Sequence, residues 1–394
     1  MNAPLITADA AADELGVRLA TLYAYVSRGM VRAEVDPSDP RKRLYNARDI
    51  RELARRRQMG KRPAEIAAAT LDQGLAILTS SITLLDGERL LYRGRDVVEW
   101  ATTATLEDTA RLLWDCKSDP FAEAAPAVTP NWPQMMKLAV SRPMAERVLL
   151  MLSQVPAVSV VTWQRDPASL MSGAAGLLRA TVAAVTGSEP RSDPIHLQLA
   201  RAWSVDRNGS ELLRQALSLS SDYELNAAAF GVRVVASTGA SLAASLSAGL
   251  AAYGGPLHSG QLSLIETLFD EVERVGNARH AVEMRLARGD RIPHFGLQLY
   301  EGGDPRARAL RQMLPDDPQR EEFEEAIVSL LGKQPNLNFT LVALQRALGL
   351  PAGTAASLFL VGRTVGWIAH ALEQQSQDKP IRPRAQYVAH PAEQ

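Results

Sequence analysis

The chain has 394 residues, 46% hydrophobic and 22% charged, with 43 Lys and Arg against 44 Asp and Glu and a net charge of −1. That length holds two or more domains around a large core, and the near-neutral balance excludes a polyanion binder along the whole molecule. The lone cysteine excludes an intrachain disulfide and fits a reducing, cytoplasmic setting, and the opening MNAPLITADA lacks the charged and apolar regions of a signal peptide.

Charge is unevenly spread. Residues 1–63 carry 13 Lys and Arg against 8 Asp and Glu, and the remainder carries 30 against 36. Within that basic head, ITADAAADELGVRLATLYAYVSRGM predicts helix, turn, helix. Thr7 caps the first helix, Gly16 supplies the turn, and Leu15, Val17, Leu22 and Val26 fall where the helices pack. Arg18, Thr21, Tyr23, Tyr25 and Arg28 point outward or partly outward. VRAEVDPSDPRKRLYNARDIRELARRR then predicts a strand, a turn with two prolines, a basic strand carrying Lys42 and Arg43, and a third helix. One helix in the major groove with basic strand residues near phosphates is a geometry suited to DNA.

Beyond residue 63 the patterns are overwhelmingly helical. AILTSSITLLDG and RLLYRG are the short strand-like runs. TLEDTARLLW puts Leu106, Ala110 and Leu113 on one helical face behind a Thr105 cap. Cys116, at helical spacing in RLLWDCKSD, has no neighbouring His or Asn to activate it and reads as a structural thiol. Prolines mark loops at 120–133 and 190–194. Ala227 to Ala252 reads as buried packing helices, and no apolar run long enough to cross a bilayer is expected. EEFEEAIVSLLG and TAASLFLVGRTVGWIAHALEQQ are helical again. Between the last two helical regions and the Ala-rich segment lies IPHFGLQLYEGGDPRARAL, residues 292–310. Its glycines permit close backbone approach and its arginines can grip an anion. Yet no acid, base or nucleophile stands between Phe295 and Tyr300.

Residues 1–57 resemble the winged helix-turn-helix of the MerR and excisionase type, on LGVRLATLYAYVSRGM and RLYNARDIREL. The resemblance implies DNA contact through Arg18, Thr21, Tyr23, Arg28, Lys42 and Arg43. A docking or oligomerisation module with a solvated basic face is the other reading. A single copy neutralises few phosphates, so a dimer would help DNA binding.

Most of residues 70–390 resembles the citrate synthase family. The motifs, in order, are GLAILTSSITLLDGERLLYRGRDVVEWATTATLEDTARLLW, SDYELNAAAFGVRVVASTGASLAASLSAGLAAYGGPLHSG, the 292–310 loop, QPNLNF and IRPRAQYV. The resemblance implies a mainly α, two-domain helical fold preceded by the small winged helix-turn-helix domain. The expected boundaries are 1–63 for the head, 64–260 with 342–394 for a large domain, and 261–341 for a small one. It also implies a homodimer whose ligands are a coenzyme A thioester and a small di- or tricarboxylate; no residue spacing resembles a metal site, and neither a covalent cofactor nor membrane contact is expected. The family reaction needs a carboxylate to remove a C–H proton, one donor for the enol and another for the ketone. Arginines then fix the oxo acid.

His258 in GPLHSG matches the enol-stabilising histidine. Arg306 in DPRA and Arg382 in IRPRAQY match arginines that hold the oxo acid, and Asn226 in DYELN matches the asparagine of that motif. Three positions depart. Leu297 replaces the histidine of Gly-Phe-Gly-His, Asn338 replaces the carboxylate of Pro-Asn-Val-Asp-Phe, and Tyr223 stands where the family has a histidine against the oxo acid. The arginine usually lent by the partner subunit has no clear match. A neutral Asn cannot accept a carbon-bound proton, and Leu cannot donate to an oxyanion. Loss of one such donor costs about 100–1000-fold, and loss of the base costs a similar order, although the two need not multiply. His294 and Glu301 are the candidates for a replacement group, while His196, His280, His370 and His390 belong to no motif and read as surface or packing residues.

Three readings follow. The chain is a family member that binds an acyl-CoA or small carboxylate but condenses poorly or not at all, with a regulatory or assembly role. It is a working citrate or 2-methylcitrate synthase with a rearranged site. Or it is one half of a heteromeric synthase.

Overall fold

Two compact units divide the chain, one within Met1–Thr79 and Pro383–Gln394, the other Ser80–Arg382. The computed structural model describes residues 5–17, 19–27, 31–36, 39–47, 49–51, 53, 78–155, 166–293, 300, 302–377 and 379–383.

In the N-terminal unit, α1 (Ala8–Leu15) starts where the Thr7 hydroxyl accepts from the Ala10 N–H. It ends at Gly16, whose φ of 60° is the left-handed turn that glycine adopts without a Cβ clash. That turn folds α2 (Leu19–Ser27) back onto α1. Leu15 and Leu22 bury themselves with Tyr45 and Ile50, and Val17 and Val26 pack at the edge. β2 (Ala33–Asp36) and β3 (Asp39–Asn46) form the expected antiparallel hairpin. A third strand, β1 (Leu5–Ile6), pairs with Tyr45 and Asn46 on the other edge of β3. No pattern predicts it, because two residues are too few to show alternation.

The larger unit opens with a sheet of β4 (Thr83–Asp86), β5 (Arg89–Tyr92) and β6 (Arg95–Asp96) in that order. Helices follow: α3 (Val97–Ala101), α4 (Leu106–Leu113), α5 (Trp132–Ala139), α6 (Met144–Leu152), α7 (Pro167–Thr186), α8 (Ile195–Ala202) and α9 (Arg207–Leu219). Next come α10 (Ala227–Ala236), α11 (Leu242–Tyr253), α12 (Gly260–Val275), α13 (Ala278–Ala287), α14 (Pro305–Arg311), α15 (Pro318–Leu331), α16 (Leu337–Ala347) and α17 (Thr354–Ser376).

Thr105 and Asp108 make a reciprocal capping box on α4, and Leu106, Ala110 and Leu113 are fully buried below it. Cys116 lies just past that helix rather than within it, after the positive-φ residue Asp115. Burial pushes its thiol up to about 11, which fits an unreactive structural role.

α17 is the centre of the unit, packed by α4, α7, α9, α10 and α11. Against the expectation of no such run, Ser169–Thr186 and Thr354–Ser376 reach the length and hydropathy of a bilayer span. They are 72% and 89% buried inside the fold, so here they are core helices. Two glycines let α17 approach its neighbours. A Cβ on Gly362 would lie 2.7 Å from the Leu217 carbonyl, and one on Gly366 would lie 2.3 Å from that of Ser221. Instead the Gly366 N–H donates to Ser221 O at 3.0 Å. This contact sets Arg363 and His370 against the turn that carries Asp222 and Tyr223. Within 261–341, the stretch assigned by resemblance to a small domain, Phe269, Phe323 and Phe339 form an aromatic core with centroids 4.9–5.4 Å apart.

Candidate functional site

The Asp-Pro-Arg turn builds the first corner. Asp304 caps α14 by accepting from the Arg306 N–H, while Pro305 presets the first helical residue. The same carboxylate grips the Arg306 side chain through Nε at 3.0 Å and Nη2 at 2.8 Å. Its Oδ2 also accepts from the Leu337 N–H at 3.2 Å. One carboxylate therefore ties the start of α14 to the start of α16, and Asn338 rides on that first turn. The Arg306 guanidinium lies 4.1 Å over the Tyr223 ring. Burial opposes its charge, but Asp304 more than offsets this and holds the cation firmly.

Tyr223 and Tyr300 meet edge to face with ring centroids 6.2 Å apart. Burial raises both phenols above their ordinary value, and they remain protonated at neutral pH. Their hydroxyls are close enough to influence each other's ionisation but make no hydrogen bond of full geometry.

His258 forms the opposite wall. It sits in the turn between α11 and α12, where its N–H donates to Gly255 O at 2.9 Å. Its ring meets Tyr253 at 5.2 Å and Phe359 at 6.1 Å, edge to face in each case. Burial, and then the nearby Arg363 cation, push its pKa down to about 4, so the imidazole is neutral at pH 7. A neutral ring keeps one N–H to donate and one nitrogen to accept.

Arg363 joins the two walls. It is buried on α17, stacked 4.5 Å from the Phe359 ring, with Nε donating to Ser220 O at 2.9 Å. Its charge acts on both His258 and Asp222, and Arg306 adds to the positive field. Sequence reading missed Arg363. The available signal was an arginine flanked by Gly362 and Gly366 inside an otherwise apolar helix.

A buried polar chain stands behind Tyr223. The Thr83 hydroxyl donates to Asp222 Oδ2 at 2.6 Å, and His370 Nε2 lies 3.3 Å from Asp222 Oδ1. His370 Nδ1 is 3.4 Å from Arg233 Nη1, which also pairs with Glu373 at 2.6 Å. Arginine can only donate, so Nδ1 accepts and the His370 proton sits on Nε2, toward Asp222. Burial works to raise the Asp222 carboxyl, but His370, Arg363 and Thr83 hold it below its ordinary value. His370, read from sequence as surface or packing, is thus a buried member of this chain.

The remaining expectations are placed as follows. Asn226 is half-buried and caps α10, its Oδ1 accepting from the Ala228 and Ala229 N–H groups at 3.0 Å each. Asn338 is half-buried beside the Arg306 corner. Arg382 is exposed, next to Ile381, whose N–H donates to Ser237 Oγ, and it makes no contact with the cluster among the described residues. His196 is buried and His280 exposed. Arg18, Arg28, His294, Leu297, Glu301 and His390 lie outside the described residues. Among the described residues no group of three or more His, Cys, Asp or Glu is placed to hold a metal ion.

Residues 70–384 match the family model described as citrate synthase, C-terminal domain. Citrate synthase 2 of Bacillus subtilis is 27% identical over 351 residues, covering 80% of this chain and 94% of that protein. The crystal structure of citrate synthase from Thermotoga maritima superposes with a TM-score of 0.66 at 28% identity, covering 81% of this chain and 95% of that one. Citrate synthase from the archaeon Thermoplasma acidophilum, in ternary complex with carboxymethyl coenzyme A and oxaloacetate, shares the fold with a TM-score of 0.60 at 21% identity. That match covers 83% of this chain and 97% of the other.

Proposed function

The chain belongs to the citrate synthase family, and we propose that its site binds a small carboxylate, with an acyl-CoA thioester as the second ligand, but condenses them poorly or not at all. Two buried cations, Arg306 and Arg363, and a neutral His258 support the binding half of this reading. The observation that carries the other half is the state of the two buried carboxylates. Asp304 is spent on Arg306 and Leu337, Asp222 on Thr83 and His370, and both are held below the ordinary carboxylate range. Such groups are weak bases. The position expected to carry the base, Asn338, is an amide.

Thiol release from acetyl-CoA and oxaloacetate tests this directly. The wild type is expected far below ordinary turnover, and roughly 10 s⁻¹, a typical enzyme value, would overturn the reading. Asn338→Asp combined with Leu297→His is expected to raise the rate by about 100-fold or more.

The active-enzyme reading draws on Glu224. It adjoins Tyr223 at φ 53° and is exposed, its carboxyl is raised by partial desolvation and by Asp222, and it makes no ion pair among the described residues. If a panel of acyl-CoAs and 2-oxo acids yields ordinary turnover that Glu224→Gln abolishes, that reading replaces the first. A second homologous chain co-purifying from native extract would point to the heteromer instead.

For the N-terminal unit we read a DNA-contacting head that makes the body a ligand-responsive regulator. Thr21, Tyr23, Lys42 and Arg43 are all exposed, with Lys42 only 3.6 Å from Asp39. Mobility shifts at low and physiological salt should show binding that weakens with salt. Absence of sequence-preferring binding at either salt leaves the docking role.

A further inference from the structure

We propose that Glu88 is a positioning residue: from the tip of the β4–β5 hairpin it braces Gly302, and so sets how tightly the Arg306 corner holds a carboxylate. This rests on the reading that the site binds a small carboxylate.

The hairpin is anchored at its base. Thr83 pairs with Tyr92 across the strands, and both hold the same turn. The Thr83 hydroxyl donates to Asp222 Oδ2 at 2.6 Å. The Tyr92 hydroxyl accepts from the Asp222 N–H at 2.9 Å and donates to Asp222 O at 3.1 Å. Thr83, Tyr92 and Asp222 are all buried, so these bonds make a firm footing directly before Tyr223.

The tip is exposed. Gly87 turns the chain at φ 60°, and Glu88 Oε1 then accepts from the Gly302 N–H at 3.0 Å, across 214 positions. A Cβ on Gly302 would lie 2.8 Å from Glu88 Oε2, and one on Gly303 would lie 2.9 Å from Gln334 Cβ. The close approach that these paired glycines allow is thus made to the protein's own side chains. Asp304 follows, starting α14 and gripping Arg306.

One hairpin therefore spans the two arms of the corner, the Asp222–Tyr223 turn at its base and the chain entering Arg306 at its tip. The base cannot yield without stranding buried polar groups, whereas the tip hangs on one exposed hydrogen bond and opens first. The carbonyl of Gly302 accepts from Arg308 Nη1 at 3.3 Å, but Arg308 belongs to α14 and ties Gly302 only to its own helix.

Hydrogen exchange of the full chain, read at the Gly302 amide, and titration with oxaloacetate test the brace together. Glu88→Ala removes the acceptor, and Glu88→Asp keeps the charge but loses the reach. Each should speed Gly302 exchange about 10-fold and weaken oxaloacetate about 10-fold, mostly through faster dissociation. Melting temperature and exchange within α17 should stay at wild-type values. Glu88→Gln keeps an acceptor oxygen at the same reach and should retain most of both properties. The brace is overturned if Gly302 exchange is unchanged in Glu88→Ala, or if it speeds while oxaloacetate affinity holds. It is also overturned if Glu88→Asp keeps the affinity that Glu88→Gln loses, since the effect would then be one of charge. Each of these outcomes leaves carboxylate binding standing. If the wild type binds no oxaloacetate, the carboxylate reading falls and the positioning role falls with it.

Discussion

Two buried arginines, attached to the adjacent residues Asp222 and Tyr223, are used in opposite ways. Arg233 reaches Asp222 through His370, and its guanidinium is met by Gln374, Glu373 and His370. Arg306 lies on Tyr223, pairs with Asp304, and keeps Nη1 unspent. Both are costly to bury. A fully matched cation returns that cost as architecture, whereas Arg306 keeps one N–H without a partner among the described residues.

Arg233→Ala attacks the matched side and should cost the most. It leaves Glu373 and His370 in the interior without their cation, a loss of about 3–5 kcal/mol in urea unfolding. A loss below about 1 kcal/mol would break the contrast.

His258 sharpens the comparison through pH. Its folded pKa of about 4 lies below the ordinary 6.5, so between those values the unfolded chain binds the extra proton. Stability therefore rises with pH across that window, by about 3 kcal/mol, and levels off above it. His258→Gln should flatten unfolding free energy between pH 4 and 7. Asp222 and Asp304, both depressed, act lower down. Their contribution is present above the ordinary 3.8 and is lost as pH falls through their folded values.

Gly366→Ala tests whether both arginine corners depend on one close approach. The added methyl meets the Ser221 carbonyl and the Asp222 side chain, so overpacking should cost about 1–3 kcal/mol. Carboxylate affinity should fall with it, because the turn bearing Tyr223 has to shift. Unchanged affinity in a destabilised variant would uncouple the corners.

Asn226→Ala gives the smallest effect and sorts that residue between the two roles. As the α10 cap it should cost about 1 kcal/mol. If it also contacts ligand, carboxylate affinity falls in addition; if it is only a cap, affinity holds.

Much of the fold was legible because local rules were obeyed. Thr7 and Gly16 bound α1, the Thr105 box starts α4, and the two strand-like runs pair as β4 and β5. At the site, sequence pointed to Arg306, His258 and Tyr223; the fold lays Arg306 over Tyr223 and brings Arg363 near His258. Arg363 was missed because it is distant in sequence from the loop that carries Arg306 and no short motif announces it, whereas Asp222 and Tyr300 lie within quoted motifs but were given no role. His370, read as surface or packing, is buried in the core; the carboxylate that faces it was not legible, because a histidine on an apolar face looks the same in sequence with or without one.

Sequence by itself determined the helical periodicity, the caps and turns, the charge asymmetry of the head, and the amide at Asn338. Those follow from side-chain chemistry and neighbours within a few residues. Only the tertiary structure decided which charges are spent and which are kept. Whether an arginine is matched depends on groups brought from 2 to 140 positions away, as Asp304 is to Arg306 and Glu373 to Arg233, and that distance is closed by packing rather than by pattern.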